Sequence, residues 1–400
     1  MQSRDIIVVG LQPWDIEIGS NCKNIALQMA MQNRVLYVNR ALDRISSFRN
    51  RRDAKVQERK KSIRGEIPDL LQERDRLWVL NPRTILESVN WMPSALFRYF
   101  NKINNSRLAK EILNAAERLG FIKPILLIDN DFFRSYHLPD MLKVDSSIYY
   151  IRDFLSDQPY FRKHGSYMEQ ELMSKVDLVV ANSPYLAEYG ARFNTHSYYV
   201  GQGCDFSLFE DDGQFSPPED LLNLPKPIIG YVGALVGSRL DIRLLEEVAS
   251  ARPEWNFVFV GPEDAAFGQS KLHLMPNVYF MGRKDQVELP AYIKYFDVCL
   301  NPQLVNQLTV GNYPRKVDEY LAMGKPVVAT STPFMEMFKD HVYLCANGQE
   351  YLLAIENAIA ENDGSLKERR RKFAFTHTWE NSVNEIYMAF DRRKSENKSK

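Results

Sequence analysis

Short apolar runs alternate with amphipathic segments along almost the whole chain. Runs such as IIVV at 6–9 and ILLI at 125–128 are typical of strands buried on both faces of a parallel sheet. Between such runs, apolar residues recur at helical spacing, as Ile25, Ala26 and Met29 do. The alternation predicts an α/β fold built on parallel sheets.

The alternating pattern is interrupted once, which predicts two domains. We expect a first Rossmann-like domain at 1–203, a linker rich in Gly, Pro and acidic residues at 204–226, and a second Rossmann-like domain at 227–378. Residues 379–400 are expected to form a helix that crosses back to the first domain and ends in a polar tail. A length of 400 residues suits two hydrophobic cores.

Composition narrows the class of protein. The chain has 51 basic and 51 acidic residues, and a net charge of zero argues against a general nucleic-acid binder. No apolar run approaches the roughly 18 residues of a transmembrane helix, and the N-terminus enters a strand without a signal-peptide core. The four cysteines are scattered without metal-binding or redox spacing, as free thiols in a reducing compartment would be. We therefore expect a cytoplasmic protein.

Two segments of the first domain stand apart from the pattern. Residues 44–64 hold nine Lys or Arg against two acidic residues. They are either a solvated or disordered insertion or a basic patch facing an anionic membrane, which would place the protein peripherally at the inner membrane face. The aromatic segment at 91–100 is either an interfacial or acceptor-binding anchor or a buried amphipathic helix.

The stretch PRKVDEYLAMGKPVVAT at 314–330 carries the strongest chemical signal. Pro314 and Gly324 predict the two ends of a short helix, and PVVAT predicts the strand that follows. Lys316 and Glu319 are three residues apart, so they share a face near the helix N-terminus, where anions are favoured. A cation for a diphosphate and a carboxylate for ribose hydroxyls can both reach one nucleotide. An ordinary amphipathic helix with solvated charges is the alternative.

Polar residues also follow several strands of the first domain. Asp129, Asn130 and Asp131 follow one buried run, and residues 152–153 follow the next. Because ligands of α/β proteins bind at the carboxyl ends of the strands, these acids are candidates for acceptor binding or general-base work. Gly19 and Ser20, in the loop before the first helix, could approach a phosphate or sugar by backbone N–H groups. Helix capping is the alternative for each of them.

The second domain repeats this arrangement. Gly233 and Arg239 lie in the loop after its first strand, where an arginine can pair with a phosphate or remain a solvated loop residue. A long polar loop then precedes the helix at 314. Such a loop can wrap a sugar or a diphosphate, and its candidate donor-binding residues are Asn306, Thr309, Gly311 and Asn312.

Taken together, these stretches resemble a known family. The run at 314–330, with IIGYVGALVGSRLDIRLLEEVA, RPEWNFVFVGP and LMPNVYFMG, resembles the donor domain of GT-B glycosyltransferases, especially those acting on bacterial surface polysaccharides and teichuronic-acid-like polymers. The likeness covers the C-terminal half and extends weakly through VDLVVANSPYL and VGQGCDFSLF. It implies two Rossmann-like domains facing a central cleft, with the nucleotide-sugar bound mainly by the second domain and the acceptor by the first.

The resemblance also implies roles for single residues. Glu319 would bind the ribose hydroxyls of the donor, while Lys316 and Arg239 would face its diphosphate, with the backbone of 309–312 nearby. The family often carries a sugar-contacting glutamate eight positions before Glu319, where this chain has Gly311. The family generally needs no bound metal. The acidic triplet at 129–131 mimics a metal-binding DxD motif, but it lies in the half expected to bind the acceptor, so we interpret it as strand-end polar groups.

The implied function is the metal-independent transfer of a sugar from a nucleotide-diphosphate donor, of UDP or GDP type, to a glycan or lipid-linked acceptor in polysaccharide biosynthesis. If the reaction inverts the sugar, Asp15, Asp129 and Asp153 are the candidate bases. Two alternatives stay open. A sugar-nucleotide epimerase of the same architecture would need more acids and histidines than the six scattered His offer. A degenerate, non-catalytic transferase acting as an assembly partner is compatible with Gly311.

Overall fold

The chain forms two compact α/β units. The structure is a computed structural model that describes residues 1, 3–15, 20–155, 160–210, 215–306, 309, 313–361 and 363–398. One unit comprises Met1–Gly201 and Trp379–Lys400, and the other comprises Gln202–Thr378. Each unit is built around its own sheet, so the prediction of two parallel-sheet α/β units is confirmed.

The first unit contains an eight-stranded sheet with the order β3-β4-β2-β1-β5-β6-β7-β8. Its edge strand β3 runs antiparallel to β4, and the other neighbours are parallel. The strands are β1 (Asp5–Gly10), β2 (Arg34–Val38), β3 (Leu70–Arg74), β4 (Leu77–Leu80), β5 (Ile125–Asp129), β6 (Ser146–Ile151), β7 (Leu178–Ala181) and β8 (Ser197–Tyr199).

Helices cover both faces of this sheet, which is why its central strands are apolar on both sides. Along the chain the helices are α1 (Asn21–Ala30), α2 (Arg44–Arg49), α3 (Ala54–Ile63), α4 (Ser94–Arg118), α5 (Leu138–Met141), α6 (Gly165–Lys175) and α7 (Pro184–Ala191). The C-terminal helix α14 (Trp379–Lys398) packs in the same unit. Its Ile386 and Phe390 share a core cluster with Ile25 of α1, and the Tyr387 hydroxyl accepts a 2.9 Å hydrogen bond from Asn33 Nδ2.

The second unit contains a six-stranded, wholly parallel sheet with the order β11-β10-β9-β12-β13-β14. Its strands are β9 (Ile228–Val232), β10 (Asn256–Val260), β11 (Val278–Gly282), β12 (Val298–Asn301), β13 (Val327–Thr330) and β14 (Tyr343–Cys345). Its α-helices are α8 (Ile242–Ala251), α9 (Ala265–Gly268), α10 (Leu289–Tyr295), α11 (Arg315–Ala322), α12 (Gly348–Ala360) and α13 (Gly364–Ala374). Short 3₁₀ helices cover Glu219–Leu221, Lys271–Leu274 and Met335–Phe338.

The segment at 204–226 differs from the linker that its composition predicts. Cys204, Phe206, Phe209 and Leu221 are buried in the core of the second unit, which begins at Gln202. The described part of this segment, 204–210 and 215–226, contains no long helix or strand, in agreement with its Gly, Pro and acidic residues. The aromatic side chains between them nevertheless bury apolar surface, and this packing makes the segment part of the unit.

The basic segment at 44–64 is helical, because α2 and α3 begin at aspartate caps and several of its cations are paired. Arg44 Nε lies 2.6 Å from Glu87 Oε2, and Arg59 Nη2 lies 2.8 Å from Asp15 Oδ1. The alternative that this segment is a disordered insertion is therefore wrong. Within the described ranges, no helix is both long and apolar enough to cross a membrane.

Candidate functional site

The second sheet has a topological switch point between β9 and β12, where α/β proteins bind ligands. The chain proceeds from β9 to β10 and β11 on one side, then returns to β12, β13 and β14 on the other. The loops that follow β9 and β12 are joined at this edge. Leu304 N donates to Arg239 O at 2.8 Å, and Asp241 N donates to Pro302 O at 2.9 Å. The two predicted ligand loops therefore lie side by side.

Helix α11 is fixed at this edge by its buried face. Val317, Tyr320 and Leu321 are fully buried, as their helical spacing predicts. The Tyr320 hydroxyl accepts a 2.8 Å hydrogen bond from Val232 N, at the last residue of β9. Gly324, at a φ of +71°, then ends the helix, as expected of a glycine C-cap. The N-terminal turn of α11 is thus anchored next to the first ligand loop.

Lys316 lies against Gly233, at the start of that loop. A Cβ atom placed on Gly233 would lie 2.9 Å from Lys316 Cε, and the φ of +139° also favours glycine. The Lys316 ammonium sits 4.9 Å from the ring centroid of Tyr231. Across the described ranges, it forms no hydrogen bond or ion pair. The structure therefore places the Lys316 ammonium at the switch point, with the Tyr231 ring and the backbone of Gly233 next to its side chain.

Glu319 presents a carboxylate from the same helix. Its side chain is half-buried and, over the residues that the structure describes, has no hydrogen-bond or ion-pair partner. Burial raises the pKa of Glu319, while the charges of Arg315 and Lys316 oppose that rise. A desolvated carboxylate without partners is unfavourable unless a ligand supplies donors. Ribose hydroxyls are donors of that kind.

The loop after β12 brings Asn306 and Thr309 beside the first ligand loop. Asn306 Nδ2 donates to Ser238 O at 3.0 Å, and Thr309 N donates to Asn306 Oδ1 at 3.1 Å. Thr309 is buried, so its side chain shapes the loop. Arg239 is exposed, and no described residue pairs with its guanidinium. Gly311 and Asn312 lie outside the described residues.

Asp318 is a member of this site that sequence reasoning did not single out. It is fully buried, and His377 Nδ1 lies 2.7 Å from its Oδ1. The Tyr313 hydroxyl and, at 3.4 Å, Cys204 Sγ donate to its Oδ2. Asp318 thus ties α11 to both ends of the second unit. No signal in the sequence separates it from its neighbour Glu319, since both are acids in the same turn.

Asn301 is a second polar residue that the sequence did not reveal. It is the last residue of β12 and fully buried, and neither side-chain polar atom has a hydrogen-bond partner among the described residues. Buried amides are normally satisfied, so this group is available to water or a ligand at the switch point.

The first sheet switches direction between β1 and β5, and its edge is organised differently. Asp129 is fully buried, and Arg152 Nε donates to its two oxygens at 3.0 and 3.2 Å. Burial raises the pKa of Asp129, and the Arg152 charge offsets part of that rise. Arg152 Nη1 also lies 2.8 Å from Asp153 Oδ2. Asp129 is inaccessible to solvent and paired with Arg152, and both facts argue against a direct role as a base.

The other strand-end groups of the first unit are also used internally. Asn130 Nδ2 donates to Asp153 O at 3.1 Å, and Asp131 Oδ1 accepts from Arg134 N at 3.1 Å. Ser20 caps α1 by accepting from Lys23 N at 3.3 Å, and its hydroxyl donates to Gln12 Oε1 at 2.6 Å. Gly19 lies outside the described residues. The helix-capping interpretation therefore accounts for Ser20.

Asp15 and Asp153 differ from Asp129 in accessibility, since each side chain is about one-third exposed, at 33% and 31%. Each is nevertheless paired with an arginine. No group of three or more His, Cys, Asp or Glu arranged to hold a metal ion occurs in the described part of the chain.

Comparison with known proteins finds a family model and relatives that this chain resembles. Residues 226–361 match the family model described as "Glycosyl transferases group 1". A protein of Bacillus subtilis (strain 168), TuaH, whose name provisionally describes it as a teichuronic acid biosynthesis glycosyltransferase, is 29% identical over 226 residues. The match covers 53% of this chain and 56% of TuaH, so the chain spans about half the length of this relative.

Solved structures show the same fold. Sucrose-phosphate synthase (tll1590) from Thermosynechococcus elongatus matches with a TM-score of 0.66 at 15% identity, covering 98% of this chain and 99% of that one. Anabaena Alr3699/HepE in complex with UDP matches with a TM-score of 0.66 at 14% identity, covering 97% and 100%. A trehalose-6-phosphate protein from E. coli bound with UDP-2-fluoro glucose matches with a TM-score of 0.66 at 12% identity, covering 96% of this chain and 98% of that one. The predicted GT-B fold is confirmed.

Proposed function

We propose that this protein is a glycosyltransferase that moves a sugar from a nucleotide-diphosphate donor to a glycan or lipid-linked acceptor in polysaccharide biosynthesis. The observation that carries the proposal is that Lys316 and Glu319 share one helix face beside Gly233, at the switch point of the second sheet, and that neither has a hydrogen-bond or ion-pair partner among the described residues. The match to the group 1 family model spans these residues.

In this proposal the second unit binds the donor. Glu319 accepts hydrogen bonds from the ribose hydroxyls, and Lys316 faces the diphosphate across Gly233. Arg239 is exposed and adds a second charge from the neighbouring loop. Two related folds are known with UDP or a UDP-sugar bound, which supports a uridine nucleotide over a guanosine one.

The chemistry follows from these charges. The bond between the anomeric carbon of the sugar and the diphosphate oxygen breaks, and an acceptor hydroxyl forms the new glycosidic bond and loses its proton. The developing negative charge on the departing diphosphate is stabilised by Lys316, Arg239 and the N-terminus of α11. Because Lys316 and Arg239, which no described residue pairs with, serve this charge, we extend the proposal to transfer without a bound metal.

Two residues are candidates for the general base that deprotonates the acceptor hydroxyl. Asp15 and Asp153 are partly exposed, so either can meet an acceptor hydroxyl if transfer inverts the sugar. Each must first leave or share its arginine partner, Arg59 or Arg152 respectively.

We also propose peripheral contact with an anionic membrane through 44–64. Phe48 and Ile45 are 73% and 41% exposed on α2, and Arg51 stacks on the Phe48 ring at 5.8 Å. Exposed apolar groups among cations favour an anionic lipid surface. Flotation with anionic vesicles should be lost in Phe48→Ser with Arg51→Gln. Equal flotation of this double variant and the wild type would contradict the contact.

Donor binding is tested by isothermal titration calorimetry with UDP and GDP. We expect UDP to bind, and Lys316→Met or Glu319→Gln to weaken the binding at least about tenfold, the effect of losing one charge-assisted hydrogen bond. Lys271→Met, at an exposed lysine of the same unit, is the matched control and should bind like the wild type. If both site variants bind UDP as the wild type does, the donor site is wrongly placed.

Turnover separates the proposed reaction from its alternatives. Incubation with UDP-sugars and a chelator should release UDP slowly without an acceptor and faster with one. Recovery of an isomerised nucleotide-sugar would instead indicate an epimerase. Nucleotide binding with no release of sugar under any acceptor would indicate a non-catalytic partner. Loss of turnover on chelation, restored by a divalent cation, would contradict metal independence.

A further inference from the structure

A second charged pocket lies wholly within the first unit, and the donor site does not account for it. It opens near the carboxyl ends of β2 and β5 and is walled by the loop at 86–90 and by residues 160–161. Two arginines line it, Arg40 two residues after β2 and Arg134 shortly after β5. Phe97 and Phe133 form part of its apolar wall.

Neither arginine is fully satisfied by the protein. Arg40 is exposed, and its guanidinium makes no hydrogen bond or ion pair with any described residue. Arg134 Nε lies 3.6 Å from Asp131 Oδ2, whereas Arg134 Nη1 is buried and has no partner in the described ranges. A buried guanidinium N–H without an acceptor is unfavourable. Two buried oxygens that line the same pocket, Asp131 Oδ2 and Asn90 Oδ1, also have no hydrogen-bond partner among the described residues, so the polar groups of the pocket do not satisfy one another.

The nearby acids do not cancel both charges. Asp43 accepts hydrogen bonds from Ser46 N and, at 2.6 Å, from Ser88 Oγ, and its charge together with that of Asp131 offsets part of the Arg40 charge. Glu87 pairs with Arg44 and Arg107. Asp131 also forms the ion pair with Arg134. In agreement with this, the charge of Arg134 is the main cause that lowers the pKa of Arg40, ahead of desolvation.

The pocket also offers a neutral donor. Tyr160 lines it and is 58% exposed, and its hydroxyl makes no hydrogen bond with the described residues. Two guanidinium groups and a phenol around one opening match a tetrahedral oxyanion, because arginine contacts phosphate oxygens in pairs.

We propose that Arg40, Arg134 and Tyr160 bind a phosphate group carried by the acceptor substrate. That the phosphate belongs to the acceptor rests on the proposed function, since the donor's own phosphates are assigned to the second unit. The same chemistry fits a soluble phosphorylated sugar and the phosphate headgroup of a lipid-linked acceptor, so the experiment has an arm for each.

The first measurement is a titration with inorganic phosphate by calorimetry or ³¹P NMR, both without UDP and with UDP at saturation. We expect phosphate to bind in both conditions, and Arg40→Gln to weaken this binding at least about tenfold, since one charge-assisted contact is lost. No described residue forms a hydrogen bond or an ion pair with the Arg40 guanidinium, so this variant should fold. Arg192→Gln, at an exposed arginine outside the pocket, is the matched control.

A second variant, Tyr160→Phe, removes only the hydroxyl and should weaken phosphate binding by a smaller factor. The pocket is overturned if wild-type protein binds no phosphate once UDP saturates the donor site. It is equally overturned if Arg40→Gln and Arg192→Gln bind phosphate alike. If UDP does not bind but Arg40→Gln still abolishes phosphate binding, the proposed donor site is wrong and the proposed phosphate site is supported.

The last arm identifies the source of the phosphate. A hexose phosphate is compared with phosphatidylcholine vesicles that contain a long-chain alkyl phosphate, each against wild type and Arg40→Gln. Arginine-dependent binding of the hexose phosphate supports a soluble acceptor, and arginine-dependent binding of the vesicles supports a lipid-linked one. If inorganic phosphate binds in the pocket but neither phosphorylated ligand does, the assignment to the acceptor is wrong.

Discussion

The strand-end acids at the switch-point edge of the first sheet are paired within the protein, whereas the two charges proposed to bind the donor at the edge of the second sheet have no hydrogen-bond or ion-pair partner among the described residues. In the first unit, Asp129 is fully buried and closed by Arg152, which also holds Asp153. In the second unit, Lys316 and Glu319 stand on one helix face without partners among the described residues. Both edges follow buried strands and both carry acids and cations. What distinguishes them is whether the protein itself satisfies those charges.

This difference separates structural charges from ligand groups. A buried charge that is paired adds little net stability, but it becomes strongly unfavourable once its partner is removed. A charge that the fold leaves unpaired adds nothing to stability and is free to act on a ligand. The comparison therefore predicts large stability effects in the first unit and large binding effects with small stability effects in the second.

The largest expected effect is at the first edge. Asp129→Ala should lower the free energy of unfolding by about 3–5 kcal/mol, because it leaves Arg152 buried with one partner. Denaturant unfolding followed by circular dichroism would measure this. Asp153→Ala, at a partly exposed partner of the same arginine, should cost less than about 1 kcal/mol. Similar losses in the two variants would show that Asp129 is not the structural charge we describe.

Glu169 sharpens the comparison, because it is a buried carboxylate that forms no ion pair with a described cation. The Tyr149 hydroxyl donates to its Oε1 at 2.8 Å, and its Oε2 has no partner among the described residues. Burial raises the pKa of Glu169 from 4.5 to about 7. The folded state then holds a proton that the unfolded state releases, so stability falls as pH rises from about 4.5 to about 7 and is constant above.

The shift corresponds to about 3 kcal/mol of stability, at about 1.4 kcal/mol for each pKa unit. Glu169→Gln removes the titrating carboxyl group. The free energy of unfolding of this variant should therefore not show the wild type's decrease between about pH 4.5 and about pH 7.5. Denaturant titrations at several pH values would check it. Glu171→Gln, at a half-buried neighbour paired with Arg98, is the control and should keep the fall in stability. A wild-type stability that does not fall over this range would contradict the raised pKa.

Most of the fold could be predicted from the chain because strand and helix periods are local signals. The buried runs of β1, β5 and β9 and the apolar face of α11 are visible as consecutive or helically spaced residues. The segment at 204–226 shows where this fails. Its Phe206 and Phe209 enter the core of the second unit through contacts that are distant in sequence and follow no period.

The candidate site was predictable only in part, for a related reason. Lys316 and Glu319 could be placed on one face because their spacing fixes it. Pairing, however, depends on residues far along the chain: Arg152 lies 23 residues after Asp129, and His377 lies 59 residues after Asp318. The sequence therefore offered Asp129 and Glu319 alike as candidate site residues, and it could not show Arg40 and Arg134 as partners in one pocket.

The smallest stability effect is expected at the donor site. Lys316→Met should change the free energy of unfolding by no more than about 0.5 kcal/mol, because the lysine has no ion pair with a described residue and the methionine can keep its packing on Gly233. Glu319→Gln should leave stability unchanged or slightly raised, since burial already disfavours the carboxylate. Added UDP should then stabilise the wild type more than either variant, because a ligand that binds only the folded state raises its stability by mass action. Paired denaturant curves with and without UDP would measure both quantities. A loss of several kcal/mol in Lys316→Met without ligand would mean that this edge, like the first, is held together by its charges.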